Sequence, residues 1–334
     1  MKECKADILR YRLPLKHPLL LKQSSLDQRA GLILTLSAGG RFGYGEIAPL
    51  PGFSRESLEE SEVQLQSFVH AVNEGRFHAL AANDFVTETF LEQLSMPSVS
   101  FGIESALWWL NQDDWVSPLI TAPLLQGPIE EILLKLEQWQ GDWPKEFKLK
   151  TGRDALEEDC SRIRQVLKLL PDSVNIKLDA NQRWSLPEAL WLASSIDTRR
   201  ISYVEEPTTN AAEFSEIYEK TGLSFALDET VQSPGFQLQP MSGLAAIVIK
   251  PTLVGGLRRC QELVNAARIQ GIRAVFSSSY ESPIGLHVLQ QLSAQWTPEE
   301  LPGLDTASAF THSLISEDIA AGSSVSINSV FCEP

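Results

Sequence analysis

The chain has 334 residues, 43% of them hydrophobic and 21% charged, enough to bury a substantial core in one large domain or two ordinary ones. Its 28 basic and 43 acidic residues leave a net charge of −15, which excludes nucleic acid or an anionic membrane as the main partner and leaves room for a basic pocket around a small anion. The opening MKECKADILRYRLP has no long apolar stretch, and no segment approaches the roughly 18 apolar residues of a membrane span, so a cytoplasmic protein is expected.

In chain order, the residues before Thr121 read as an α+β segment. DILRYRLPLKHPL and AGLILTLSAGGRFGYGEIAPL predict strands of a meander, with turns or bulges at Gly39, Gly40, Gly43 and Gly45. Helices are predicted over Ser57–Asn73 and Ser100–Asn111. From Thr121 onward, strand-like runs (APLLQG, EFKLKTG, VNIKLDAN, ISYVEEP, LSFALDET, AAIVIKP, RAVFSSS) alternate with helical patterns. Asp154 and Ser185 stand where helix N-caps belong, and Gly141, Gly222 and Gly271 where helices stop. Four scattered cysteines and five histidines form no CxxC, HxH or HxxxH pair, so neither a disulfide framework nor a zinc or other His-based metal site is suggested.

The polar residues ending the strands, Lys150, Asp179, Glu205, Asp228, Lys250 and Ser277, are separated by 29, 26, 23, 22 and 27 residues, each about one βα unit. Repeated βα units predict a parallel sheet with right-handed crossovers. With APLLQG before and PGLDT after, the count reaches about eight, which suits a closed barrel. An open doubly wound sheet is the runner-up, but LLQGPIEE is not the Gly-rich phosphate loop of such folds.

In a barrel both faces of a strand are buried. Alternation along FKLKTG then sends Phe147 and Leu149 toward the helices and Lys148 and Lys150 inward. The same parity turns Lys177, Asp179, Asp228 and Lys250 inward; ISYVEEP is less clean, since Ile201 and Tyr203 share the face of Glu205. Three carboxylates from consecutive strands repel one another unless a cation sits among them. Oxygen-only ligands suit a hard ion such as Mg²⁺, with Mn²⁺ as a substitute. A lysine held near a metal and a second lysine has a lowered pKa and can accept a proton. The chemistry inferred is metal-assisted removal of a proton next to a carboxylate. Any one of these residues alone reads as a turn residue, a cap or a solvated rim charge. Five charged residues at successive strand ends carry the reading.

At these residues the sequence resembles the enolase superfamily in its muconate-lactonising subgroup: KLK (148–150), DAN (179–181), EEP (205–207), DE (228–229) and KPT (250–252) match its ordered motifs over nearly the whole chain. Within it, GYGEIAPLPGFSRES, SVSFGIESAL, IKPTLVGGL, SSSYESPIGL and LPGLDT resemble the o-succinylbenzoate synthases of menaquinone biosynthesis. The resemblance implies an N-terminal α+β capping domain (1–115), a (β/α)7β TIM-like barrel (116–306) and a C-terminal segment (307–334) packing back on the cap. It implies Lys150 as base and then acid, Lys250 on the opposite face, and Asp179, Glu205 and Asp228 as Mg²⁺ ligands. Glu205 is preferred to Glu206 because the ligand stands two before the proline and Glu205 to Asp228 is a natural βα spacing; pleat parity sends Glu206 the other way. Lys148 and Lys177 read as supporting charges, Lys148, Asn181, Ser277 and Ser278 as substrate contacts, and the loop 22–29 (KQSSLDQR) as a lid. The reaction implied is loss of water from 2-succinyl-6-hydroxy-2,4-cyclohexadiene-1-carboxylate to give 2-succinylbenzoate.

The nearest alternative is an N-acylamino acid racemase or dipeptide epimerase, which Lys150 and Lys250 would serve equally. A sugar-acid dehydratase fits less well because His287 lies in the helical GLHVLQQL. A non-catalytic scaffold would have no reason to keep three repelling carboxylates. The expected partner is a small-molecule carboxylate; the sequence carries no signal of oligomeric state.

Overall fold

The structure, a computed structural model, describes residues 4–21, 25–77, 89–316, 319 and 323–333. β1 (Cys4–Leu20), β2 (Ser25–Ala38) and β3 (Arg41–Ile47) form the antiparallel meander, and β11 (Cys332–Glu333) adds to the outer edge of β1. Alternation along β2 divides its side chains between two cores. Leu32, Leu34 and Leu36 pack with α1 (Leu58–Asn73) and α2 (Pro97–Leu110), whereas Ile33 joins the core of the parallel sheet. That is why a strand of an antiparallel sheet is buried on both sides here.

Local chemistry sets the helix starts. Ser57 caps α1 in a capping box with Glu60, whose N–H lies 3.1 Å from the Ser57 hydroxyl. α2 begins at Pro97, three residues before the predicted start, because proline at the first helical position forgoes no hydrogen bond and the buried Glu56 carboxylate accepts from Ser98 N–H at 2.9 Å. A Cβ on Gly45 would lie 1.8 Å from the Gly102 carbonyl oxygen, so β3 and α2 touch backbone to backbone.

The second sheet holds β4 (Leu124–Leu125), β5 (Glu146–Lys150), β6 (Asn175–Asp179), β7 (Ile201–Glu205), β8 (Phe225–Leu227), β9 (Leu244–Ile249) and β10 (Arg273–Phe276), paired in parallel in chain order. The sequence count of eight becomes seven strands and a short closing segment. Gly303 bridges to Ser277 and donates to Phe276 O at 2.8 Å, while Ala122 N–H donates to Pro302 O at 2.9 Å and Leu124 N–H to Asp305 Oδ2 at 3.0 Å. Residues 302–305 thus join β10 to β4 and complete a (β/α)7β ring.

Helices α3 (Ile129–Glu137), α4 (Leu156–Leu169), α5 (Leu186–Ser195), α6 (Phe214–Thr221), α8 (Leu257–Ile269) and α9 (Pro283–Trp296) intervene between strands, with the short α7 (Pro251–Val254) before α8. Phe147, Leu149, Ile176, Leu178, Ile247 and Ile249 share one core with α4, α5 and α8, as alternation predicts. Tyr203, Ala226, Ala246, Val248 and Val275 form a separate cluster inside the ring. The Glu188 carboxylate accepts from both the N–H and the hydroxyl of Ser185 at 2.7 Å, and Gly222 ends α6 at φ +72°. Asp154 does not cap α4: Ala155 occupies the cap position, and Asp154 pairs with the Arg162 guanidinium.

The cap sheet is tied to the barrel by a buried carboxylate. Glu46 of β3 accepts from Ser282 N–H (2.9 Å), Ser282 Oγ (2.6 Å) and Gly285 N–H (2.9 Å) at the start of α9, and also from the Tyr11 hydroxyl. The arrangement satisfies orphan donors of a helix N-terminus with a negative charge. Among the described residues no helix is long and apolar enough to cross a membrane.

Candidate active site

Parallel register sets Lys150 beside Asp179 and Asp179 beside Glu205, at the C-terminal ends of β5, β6 and β7. Asp228 follows β8 and Lys250 follows β9, so Lys150 and Lys250 stand on different sides of the ring with β6, β7 and β8 between them. All five side chains are largely buried; those of Asp179, Glu205 and Asp228 are only 1%, 2% and 1% exposed. Lys148 Nζ lies 2.8 Å from Asp179 Oδ2 and 2.6 Å from Glu205 Oε2. Lys150 Nζ donates to Asp179 Oδ2 at 2.6 Å and Asn181 Oδ1 at 2.9 Å, and Lys250 Nζ lies 2.5 Å from Asp228 Oδ2.

Buried charge is tolerable only when paired, and here each carboxylate is bridged by an ammonium. Among the described residues, no three acidic, His or Cys side chains are gathered as a finished metal cage. The donor set nonetheless fits a hard divalent cation: three buried carboxylates on neighbouring strand ends, all oxygen, already facing positive charge.

The pairing separates the lysines. Burial lowers the pKa of Lys150, and Lys148 and Lys250 lower it further, against the pull of Asp179. Burial also opposes charge on Lys250 and Lys148, but Asp228 and Glu229 hold the first above the ordinary lysine value, and Asp179 and Glu205 hold the second well above it. Burial and the neighbouring Asp179 and Asp228 push Glu205 up to about 7 in spite of Lys148, while Lys148, Lys150 and Lys250 hold Asp179 well below the carboxylate range despite its burial.

Lys148, Lys150, Lys250, Asn181, Ser277 and Ser278 all line one cleft of about 790 Å³, part of it open to solvent. The cap contributes its apolar side, through Leu19, Leu21, Leu50 and Phe53. Ser277 Oγ donates to Gly303 O at 3.2 Å, and Ser278 Oγ lies 2.8 Å from Thr306 Oγ1, so both hydroxyls also bind the closing segment. Of the predicted lid, residues 22–24 lie outside the described residues. Arg29, at its end, is buried and anchors the hairpin base to Ala48 O (2.7 Å), Pro49 O (3.1 Å) and Tyr280 O (3.1 Å). Lys177 is not brought to the mouth. It sits a layer below, 2.9 Å from Glu146 Oε2 and 3.1 Å from Leu301 O, because its alternate neighbour Asp179 takes the strand end.

Two residues, Glu229 and Glu281, escaped the sequence reading, and Glu206 was given only a direction. Glu206 does turn away from the mouth, but its φ of +40° aims the carboxylate at the next loop, where Oε1 accepts from Asp228 N–H (2.9 Å) and Thr230 N–H (2.8 Å). Glu229 is raised to about 7 by burial and by Asp228, and its Oε2 has no hydrogen-bond partner among the described residues. Glu281 accepts from Ser279 N–H at 2.6 Å and Thr252 Oγ1 at 2.8 Å, fixing the serine run. The EE and DE doublets were the signals for Glu206 and Glu229; Glu281 offered none.

Comparison with known proteins agrees with this arrangement. Residues 135–325 match the family described as Enolase C-terminal domain-like, and residues 3–110 match MenC, N-terminal domain. The chain is 38% identical over 309 residues to an o-succinylbenzoate synthase of Aliivibrio salmonicida, covering 91% of each chain. It is 38% identical over 308 residues to one of Yersinia pseudotuberculosis, covering 90% of each. Among solved structures, the o-succinylbenzoate synthase of Thermosynechococcus elongatus, complexed with Mg in its active site, superposes with a TM-score of 0.70 at 24% identity, covering 92% of this chain and 95% of that one. The L-Ala-D/L-Glu epimerase of Bacillus subtilis shares the fold at a TM-score of 0.79 and 19% identity, covering 100% and 98%. The chain belongs to the o-succinylbenzoate synthase family of the enolase superfamily.

Proposed function

We propose that the protein is an o-succinylbenzoate synthase, a hydro-lyase that removes water from 2-succinyl-6-hydroxy-2,4-cyclohexadiene-1-carboxylate to give 2-succinylbenzoate in menaquinone biosynthesis. The observation that carries the reading is the buried Lys150, its pKa lowered, set beside Asp179 in a mouth that also holds Lys250. Asp179, Glu205 and Asp228 would hold Mg²⁺, and Mn²⁺ suits the same oxygen donors. When bound, the ion supplies the positive charge that lets a carboxylate substrate take on a second negative charge.

Lys150, as the neutral amine, takes the proton from the ring carbon that bears the carboxylate. The electron pair left behind moves onto the carboxylate oxygens as an enediolate, which the Lys250 ammonium stabilises from the other side of the ring. Lys150, now an ammonium, returns its proton to the departing 6-hydroxyl, and the electron pair collapses to form the aromatic ring. Asn181, Lys148, Ser277 and Ser278 orient the substrate along the cleft wall. Cysteines kept as thiols rather than paired in disulfides, Cys160 and Cys260 in the core among them, support a cytoplasmic location.

Racemisation or epimerisation would require Lys250 to act as a second base. Both lysines are ion-paired, but burial lowers the pKa of Lys150 while Asp228 and Glu229 hold Lys250 above the ordinary lysine value, which favours a fixed cation at Lys250 and the one-base dehydration. Incubating the protein with the cyclohexadiene substrate should give 2-succinylbenzoate with Mg²⁺ and none with excess chelator. A protein stabilised by Mg²⁺ that turns over N-acylamino acids or dipeptides instead would overturn the reading.

A further inference from the structure

We propose that Arg153 and the chamber beside the catalytic cleft bind the second carboxylate of the substrate, at the far end of its succinyl arm; this rests on the reaction proposed above. The cleft continues into a second hollow of about 1340 Å³, part of it open to solvent, and the two share Leu19, Leu124, Arg153, Tyr280, Asp305 and Thr306. The cleft wall carries the lysines of the proton-transfer site. The chamber adds Lys16 and His17 from β1, against the acids Glu131 and Asp305. Asp305 is already engaged through Oδ2 by Leu124 N–H at 3.0 Å. Among the described residues, Arg153 is the one cation-bearing side chain that lines both cavities, and it lies away from the proton-transfer centre.

The backbone puts it there. Arg153 stands three residues after Lys150, beyond the glycine that ends the strand. Gly152 is left-handed, at φ +74°, and a Cβ on it would lie 2.9 Å from both Ala180 O and Arg183 Cβ. Its N–H donates to Asp159 Oδ2 at 2.6 Å, and Thr151 N–H donates to Asp179 O at 3.0 Å. The turn is therefore held from both sides, and the side chain that follows is delivered to the wall between the two cavities. Arg153 is exposed, and among the described residues its guanidinium has no hydrogen-bond or ion-pair partner. Tyr280 stands beside it, at the left-handed φ of +61°, a strained geometry of the kind that collects at binding sites.

A substrate with two carboxylates needs two cationic stations. The ring carboxylate takes the one among Asp179, Glu205, Asp228 and the lysines. A guanidinium with no hydrogen-bond or ion-pair partner among the described residues, with its planar fork of donors, is a suitable second. The residue therefore sets which acids are accepted rather than the proton chemistry.

Calorimetric titration of the Mg²⁺-loaded protein with 2-succinylbenzoate and with 2-butanoylbenzoate, which lacks the distal carboxylate, tests this. The wild type should prefer the dicarboxylate by about 10- to 100-fold. Arg153→Ala should erase that preference by weakening the dicarboxylate alone, Arg153→Lys should retain part of it, and Lys16→Ala should leave it in place. Loss of affinity for both ligands alike, an intact preference in Arg153→Ala, or its loss in Lys16→Ala would overturn the assignment. A wild type that neither binds the product nor turns over the cyclohexadiene would instead take down the proposed reaction.

Discussion

The barrel encloses two ionic clusters built from the same side-chain types, one at its mouth and one at its floor. At the floor, Arg273 donates to Glu146 (2.8 Å) and Glu300 (2.7 Å), Lys177 pairs with Glu146 at 2.9 Å, and the Ser202 hydroxyl adds a bond to Glu146 at 2.5 Å. Two cations meet two anions, and despite burial Arg273 and Lys177 hold Glu146 down to about 2. At the mouth, Lys148, Lys150 and Lys250 face Asp179, Glu205, Asp228 and Glu229, so negative charge is in excess and two of those carboxyls rise to about 7. The backbone differs as well: Asn181, Gln182, Glu206 and Tyr280, all beside strand ends at the mouth, have positive φ. A balanced, fully bonded cluster contributes stability; an unbalanced one on strained backbone is poised for a ligand.

Removing one charge from each cluster should give opposite outcomes. Lys150→Ala should lower turnover by at least about 10²- to 10⁴-fold in a steady-state assay, as expected for loss of a general base, with the melting temperature nearly unchanged. Glu146→Gln should do the reverse. It leaves Lys177 without its carboxylate and Arg273 with Glu300 alone, and should cost about 3–5 kcal/mol in denaturant unfolding while the folded fraction still turns over. If both variants lost activity and stability together, the two clusters would not be separate in role.

A smaller effect comes from a titratable group outside both clusters. His287 of α9 lies between Trp109 and Trp115, with ring centroids 5.0 and 4.9 Å away, and burial depresses it to about 4. The native state excludes a proton that the unfolded chain binds near 6.5. The stability this gives is complete above that pH and is lost as pH falls toward 4, about 2–3 kcal/mol by pH 4.5. His287→Phe should flatten that part of the acid slope in unfolding midpoints measured from pH 7 to 4.5.

The mouth was legible in the sequence wherever a strand ran straight to its end. Lys148, Lys150, Asp179 and Lys250 follow from alternation, and Glu205 from spacing. The reading stopped where pleat parity stops: Glu229 and Arg153 lie past the last strand residue, where turn geometry decides direction. Parity placed Lys177 on the inner face but gave no depth, and depth separates mouth from floor. The closing segment was found as PGLDT but pairs by single bonds, so it forms no eighth strand. Glu46 and Glu281 act through partners set by tertiary packing, which no local pattern encodes.

The Glu46 latch also bears on how the chain reaches its native state. Its donor at Ser282 lies 236 residues downstream, so the bond joins distant parts of the chain. Contacts of such separation form late, after the entropy of closing the intervening loop has been met. During synthesis the meander emerges long before the start of α9, and until then Glu46 lacks three of its four donors. The cap sheet is therefore expected to dock in the last step of folding, together with the cleft wall it supplies, so that the protein gains its active site only when its two ends meet.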